Sequence, residues 1–155
     1  MGTYFNPDGE AFRKMIQSEI YVDKTGLLNY TNSVLNTMQG YLCISRPRRF
    51  GKSMAANMLA AYYSRESRAE ELFSGFKISE SPDFQKYANQ YNTIFLNMQD
   101  FLSQSGNVTE MIALLQKSVL WELLGEYPDF RYFDETNLAR TMQDVYQQTK
   151  IPYVI

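Results

Sequence analysis

The residues best suited to chemistry form one short basic segment, Arg46-Pro47-Arg48-Arg49-Phe50-Gly51-Lys52-Ser53. It matches the phosphate-binding loop pattern G-x-x-x-x-G-K-[ST] except at the first position, where Arg46 replaces glycine. In such a loop, backbone N–H groups and the N-terminus of the following helix present partial positive charge to a phosphate. Gly51 would let the backbone approach the phosphate oxygens closely. The Lys52 ammonium would reach the β- and γ-phosphates, and the Ser53 hydroxyl would be a Mg²⁺ ligand.

This loop needs a strand before it and a helix after it. The short apolar run Tyr41-Leu42-Cys43-Ile44-Ser45 predicts a buried strand. The segment from Gly51 to about Tyr63 predicts a helix that is apolar almost all round, as is typical of a helix buried in a larger assembly. Gly-Lys-Ser alone would fit an ordinary helix start beside a solvated loop equally well. The order strand, loop, helix favours the phosphate-binding interpretation.

The remaining elements predict an α/β fold with a mostly parallel sheet, because strand and helix patterns alternate along the chain. Helices are predicted over about 10–17, 24–38, 82–88, 107–124 and 134–149, and further strands over 93–98 and 152–155. Asp23 is predicted to cap the second of these helices, and Asn107 with Glu110 forms a capping box for the fourth. The last strand is apolar up to Ile155, so we expect the chain to be truncated.

Composition excludes several other classes of site. There is no histidine and only one cysteine, Cys43, which excludes histidine-based metal sites, Ser-His-Asp triads and an internal disulfide framework. The net charge of −2 provides no overall basic field for nucleic acid. No segment approaches the roughly 20 apolar residues of a membrane span, and no signal pattern opens the chain. We therefore expect a soluble, cytoplasmic protein with no membrane partner.

The basic segment and three other stretches resemble a known family. The run from Leu42 to Ser53 is similar to the signature of the prokaryotic AAA-ATPase-like proteins, a branch of the P-loop NTPases, which share the Arg-Pro-Arg-Arg-Phe-Gly-Lys-[Ser/Thr] loop. The absent first glycine is normal in that family. Tyr21-Val22-Asp23-Lys24-Thr25 resembles its Val-Asp-Lys-Thr element, and Leu72-Phe73-Ser74-Gly75-Phe76-Lys77-Ile78 resembles its Leu-Phe-x-Gly-Leu-x-Ile segment. Phe95-Leu96-Asn97-Met98 lies where the family has its second strand.

The resemblance implies a three-layer αβα P-loop fold that binds ATP and Mg²⁺. The chain would be the N-terminal part of one such domain, with residues 1–40 as a helical lead-in and 41–155 as an incomplete nucleotide-binding core. The loop residues Arg46, Pro47, Arg48, Arg49, Phe50, Gly51, Lys52 and Ser53 would bind the nucleotide, and Ser53 the metal. Lys52 would stabilise transition-state charge if the chain is hydrolytic.

Further parts of the family pattern are expected beyond this sequence. Relatives continue through a Walker B strand that ends in acidic residues, and the segment 150–155 resembles that strand without them. Many also carry a C-terminal nuclease-like domain of the PD-(D/E)xK type. A strand between the phosphate-loop strand and the Walker B strand is absent too, which would leave a gap at the centre of the sheet. We therefore expect little ATP hydrolysis by this chain alone.

Several alternatives remain open at this stage. Arg46, Arg48 and Arg49 could instead bind the backbone of a nucleic acid, or the chain could be a scaffold that binds a nucleotide without hydrolysing it. Asp23 and Lys24 are most simply a helix cap and a solvated side chain, with a role near the nucleotide as the alternative. Phe50 could pack under the loop or stack on a base, and Asp100 could position a water molecule. The tyrosines and Trp121 are interpreted as core and interface residues.

Overall fold

The computed structural model describes residues 2–45, 47, 49 and 51–155. Its helices, in chain order, are α1 (Glu10–Ile16), α2 (Gly26–Val34), α3 (Lys52–Tyr63), α4 (Ala69–Leu72), α5 (Phe84–Tyr87), α6 (Met98–Ser103), α7 (Val108–Glu126) and α8 (Leu138–Thr149). A 3₁₀ turn, Lys77–Glu80, lies between α4 and α5, and the strands are β1 (Asn92–Thr93) and β2 (Tyr153–Val154). The chain is thus mixed, mainly helical, and compatible with the α/β class.

The two strands form a small parallel sheet in which Asn92 pairs with Tyr153 and Thr93 with Val154. The N-terminal segment covers the other edge of β1, since Phe5 bridges Ile94 in the antiparallel sense and the Asn6 N–H donates to the Thr93 carbonyl at 2.7 Å. Successive residues of a strand direct their backbone groups to opposite edges, so β1 can hold both neighbours. β1 is therefore the centre of the sheet that the described residues form.

The larger core packs around the C-terminal half of α3. Its fully buried residues include Met58, Ala61, Tyr62 and Tyr63 from that helix, and Phe12, Leu28, Phe73 and Ile78 from the surrounding elements. α1 packs against α3. Its N-cap, Gly9, has a φ of 79°, and a Cβ built there would lie 2.8 Å from Leu72 Cδ1. Only glycine meets both the left-handed backbone and the close approach at this position.

A second core lies between the N-terminal segment, α7 and α8. Phe5, Ile94, Val119, Leu123 and Val145 are its buried residues. Both helices of this core, α7 and α8, begin after an asparagine that caps them. The Asn107 side chain accepts a hydrogen bond from the Glu110 N–H at 3.0 Å, and the Asn137 side chain accepts one from the Arg140 N–H at 3.1 Å. Side-chain capping of this kind satisfies N–H groups that have no partner inside the helix. The predicted cap at Asn107 is confirmed.

The glutamate of the predicted capping box has a different partner from the expected one. The Glu110 carboxylate accepts from the Gly106 N–H at 2.9 Å and from the Asn107 side-chain amide at 2.8 Å. The apolar face of this helix is also only half buried. Val119 and Leu123 are buried, whereas Val108 and Ile112 in the first half of α7 are exposed. The first half of α7 is therefore more exposed than the second half.

The predicted strand at 41–45 is wrong. These residues have no regular structure, and Tyr41, Leu42 and Ile44 are exposed. A strand requires a partner for its backbone N–H and C=O groups. Within the described residues, no backbone hydrogen bond joins 41–45 to β2. Leu42 and Ile44 instead line a cleft of about 280 Å³ together with Val154 and Ile155, which separates this segment from the sheet.

None of the helices in the described ranges combines the length and the apolar character that a membrane crossing requires.

Candidate functional site

The predicted loop ends in a sharp turn that starts α3. Gly51 is the N-cap, with φ 77° and ψ 24°, and its carbonyl accepts the first helical hydrogen bond from the Ala55 N–H at 2.9 Å. This left-handed conformation favours glycine because a Cβ makes it less favourable for most other residues. The predicted helix from Gly51 to Tyr63 is therefore confirmed as Lys52–Tyr63. Gly51 itself lies one residue outside it.

The first turn of α3 presents positive charge and no carboxylate. Lys52 and Ser53 are exposed at its start, and the turn contains no acidic residue. Gly51 has no side chain that could cap the free N–H groups. The N-terminus of a helix carries about half a positive charge, which favours a neighbouring anion and disfavours a neighbouring cation. The arrangement gains stability if an anion binds there.

Lys52 folds back across the loop. Its Nζ donates a hydrogen bond to the Pro47 carbonyl oxygen at 3.1 Å. This contact spans the basic loop, residues 46–53, from its second residue to its seventh. Arg49 adopts a left-handed φ of 68°, as Gly51 does with a φ of 77°. Arg46, Arg48 and Phe50, which the sequence also predicts to bind the nucleotide, lie outside the described residues.

A further cation, Lys24, reaches the same turn from the segment before α2. A Cβ built on Gly51 would lie 3.2 Å from Lys24 Nζ. From the sequence, a solvated side chain is the simplest expectation for Lys24, with a role near the nucleotide as the alternative. The structure brings its ammonium to the start of α3. Spacing along the chain could not reveal this proximity, because Lys24 and Gly51 are joined only through the tertiary fold.

The neighbours of Lys24 are held by hydrogen bonds. The Asp23 carboxylate accepts from the Thr25 N–H at 2.8 Å and the Thr25 hydroxyl at 2.7 Å, and its second oxygen accepts from the Lys77 N–H at 3.1 Å. Burial alone would raise the pKa of Asp23, but the hydrogen bonds from Thr25 and Lys77 outweigh it, so its pKa is lowered. Asp23 therefore stabilises the approach to α2, whose N-cap is Thr25.

The helix predicted over 24–38 is shorter than expected. α2 runs from Gly26 to Val34, and Asn36 follows with a left-handed φ of 61°. The Asp23 side chain bonds two residues ahead, as in an Asx turn, instead of capping the helix directly. The Asp-x-Thr spacing was the sequence signal for this turn.

A larger cavity of about 1000 Å³ lies away from the basic loop. It is lined by the N-terminal segment, α3 and α7, including Asn57, Trp121 and Glu122. The Glu122 carboxylate accepts hydrogen bonds from the N–H groups of Thr3, Tyr4 and Phe5 at 2.9, 2.8 and 2.8 Å. Those bonds give it a structural role, which makes the basic loop the stronger candidate site. Trp121 is 76% exposed at this cavity, so it does not lie in the core, and its assignment to an interface stays a prediction.

The described residues contain no group of three or more Asp, Glu, Cys or His side chains placed to hold a metal ion. Asp100, suggested from the sequence as a water-positioning residue, lies exposed in the first turn of α6. A magnesium ion at the basic loop would thus take Ser53 as its protein ligand on this part of the chain, with phosphates and water completing its shell. That arrangement is usual for Mg²⁺, which keeps several waters and binds substrate phosphates.

Comparison with known families supports the resemblance seen in the sequence. A family model described as a predicted AAA-ATPase matches residues 9–155. Searches of curated proteins and of solved structures gave no significant match. The matched range contains the basic loop, the Asp23–Thr25 turn and both strands, and it covers nearly the whole chain. On this basis the chain belongs to the predicted AAA-ATPase-like family.

Proposed function

We propose that the chain binds ATP through the basic loop, as the N-terminal part of a Mg²⁺-dependent ATPase of the three-layer P-loop type. The observation that carries the proposal is the turn at Gly51, which places Lys52 and Ser53 in the first turn of a long helix. A triphosphate at this helix N-terminus would accept hydrogen bonds from backbone N–H groups, and the positive end of the helix dipole would stabilise its negative charge. The family assignment supports the same chemistry.

The residues present suit each part of this ligand. Lys52 would leave the Pro47 carbonyl for a phosphate oxygen, since a charge-assisted bond to phosphate is stronger than one to a neutral carbonyl. Ser53 would contribute a hydroxyl oxygen to Mg²⁺, which prefers oxygen ligands. The metal would neutralise charge on the bound phosphates and orient them. Arg49 would add a further cation within the loop, with a smaller effect than Lys52.

The test is calorimetric titration of the purified chain with ATP and Mg²⁺, after circular dichroism has shown that each protein is folded. We expect micromolar binding by the parent. Lys52→Ala should weaken it at least tenfold, because removal of a charged donor costs roughly 1.5–3 kcal/mol. Lys117→Ala, an exposed lysine on α7, is the matched control and should bind as the parent does.

Two results would contradict this function. Equal affinity of Lys52→Ala and Lys117→Ala would show that the loop does not hold the triphosphate. Binding of duplex DNA that weakens steeply with salt and is not displaced by ATP would instead assign the loop to a nucleic acid.

A further inference from the structure

Two short segments outside the basic loop are joined to each other. The first contains Asp23, Lys24 and Thr25, and the second is the start of the 3₁₀ turn Lys77–Glu80. Asp23 accepts the Lys77 N–H, and the Thr25 hydroxyl oxygen accepts the Ile78 N–H at 3.3 Å. Thr25 and Ile78 are both fully buried. This junction, which we call the 23–25/77–78 junction, ties the segment before α2 to the larger core.

The junction fixes the residues on both sides of Lys24 but leaves its side chain exposed. The Lys24 carbonyl accepts the Leu27 N–H at 3.1 Å, so the main chain of Lys24 is held as well. Its side chain is directed to Gly51, close enough that a Cβ there would lie 3.2 Å from Nζ. In the described part of the chain, the ammonium has no ion-pair partner.

The position of this ammonium would favour a bound anion. It lies at the positive end of α3, where a cation is disfavoured, and close to the turn that carries Lys52. Two lysines at one helix N-terminus repel each other unless an anion lies between or beside them. A polyphosphate would relieve this repulsion, and its charge would interact with both ammonium groups.

We propose that Lys24 is a second phosphate-binding cation of the site and directs it toward nucleotides with two or more phosphates. The proposal rests on the proposed function, because it needs a nucleotide in the basic loop. Asp23 and Thr25 are positioning residues: they hold the main chain from which Lys24 reaches Gly51. The chain thereby supplies charge to the phosphates from two separate segments, one before α2 and one at the start of α3.

The test compares ATP, ADP and AMP by calorimetric titration with Mg²⁺. Lys24→Ala should weaken ATP and ADP binding about tenfold, as expected for the loss of one close unit charge partly screened by water. The effect on AMP should be less than about threefold, since a single phosphate carries less charge. Lys24→Arg should keep most of the affinity, and Lys117→Ala should match the parent for all three nucleotides. Circular dichroism verifies that each variant is folded.

The outcomes separate this proposal from the proposed function. If Lys52→Ala loses ATP binding while Lys24→Ala binds ATP as Lys117→Ala does, the role of Lys24 is wrong and the site in the basic loop stands. An equal loss for ATP and AMP would also overturn the selection for polyphosphates. If the folded parent binds no nucleotide, the proposed function fails, and the role of Lys24 fails with it.

Discussion

The two ends of α3 are built in opposite ways. At its C-terminal end, Ala61, Tyr62 and Tyr63 are at most 1% exposed and pack within the larger core. At its N-terminal end, Lys52 and Ser53 are exposed, and the segment 41–45 that leads toward them has no regular structure. One helix therefore has an anchored half and an accessible half. The difference means that the larger core fixes α3 at one end and leaves its N-terminus open to solvent.

Hydroxyl groups reinforce the anchored half. The Tyr63 hydroxyl pairs with the Thr31 hydroxyl at 2.6 Å and donates to the Asn32 side-chain carbonyl at 2.8 Å, and the Asn32 amide donates to the Tyr62 hydroxyl at 3.1 Å. This network joins α2 to α3. Burial is the main reason that the pKa of Tyr63 is raised well above its ordinary value, so the phenol remains a neutral hydrogen-bonding group.

The largest effect on stability should come from breaking that network. Tyr63→Phe removes the hydroxyl and leaves Thr31 and Asn32 with a lost partner in a buried site, which should lower the free energy of unfolding by about 1–3 kcal/mol. Urea unfolding measures this change. Nucleotide affinity of the folded variant should be unchanged, because the loss is at the anchored end.

Tyr30→Phe is the control for this substitution. Tyr30 lies on the same helix as Thr31 and is exposed, so its loss should change stability by less than about 0.5 kcal/mol. Equal stabilities for Tyr30→Phe and Tyr63→Phe would mean that the hydroxyl network does not anchor α3.

A smaller effect, with a definite pH dependence, is expected at the 23–25/77–78 junction. Asp23→Asn should cost about 1 kcal/mol at neutral pH by weakening the bonds to Thr25 and Lys77. Because the pKa of Asp23 is lowered on folding, the carboxylate stabilises the fold above its ordinary pKa of about 3.9 and loses this contribution as the pH falls through the lowered value. The gap between parent and variant should therefore close below about pH 4.

Unfolding titrations at several pH values measure this gap. Asp129→Asn, an exposed aspartate in the loop before α8, serves as the control and should show no gap at any pH. A stability difference for Asp23→Asn that persists unchanged at the lowest pH would contradict the role of its carboxylate.

The smallest effect on stability is expected at the accessible end. Ser53→Ala should change the free energy of unfolding by less than about 0.5 kcal/mol, because Ser53 is exposed. The same variant should lose part of the Mg²⁺ dependence of ATP binding, which is measured by titrating with and without the metal. Ser74→Ala, also exposed, should keep it in full. A large loss of stability in Ser53→Ala would show that this end of α3 is structural after all.

Features encoded by neighbouring residues were predictable from the sequence. The bounds of α3, the start of α1 and the cap at Asn107 follow from local backbone and side-chain chemistry. The absence of a strand at 41–45 was not predictable, because an apolar run becomes a strand only when another strand pairs with it. The position of Lys24 was missed for a similar reason. Its relation to Gly51 depends on how the 23–25/77–78 junction folds onto the larger core.

The pairing of β1 also has a consequence for how the chain folds. Phe5 pairs with Ile94 on one side of β1, and Val154 pairs with Thr93 on the other side. The two partners therefore come from nearly opposite ends of the sequence. Bringing such distant segments together costs loop-closure entropy before any pairing energy is gained, which makes contacts of this kind slow to form. The helices around α3 can assemble from nearer neighbours. We therefore expect closure of the sheet to be a late event in folding, which during synthesis has to wait until β2 has left the ribosome.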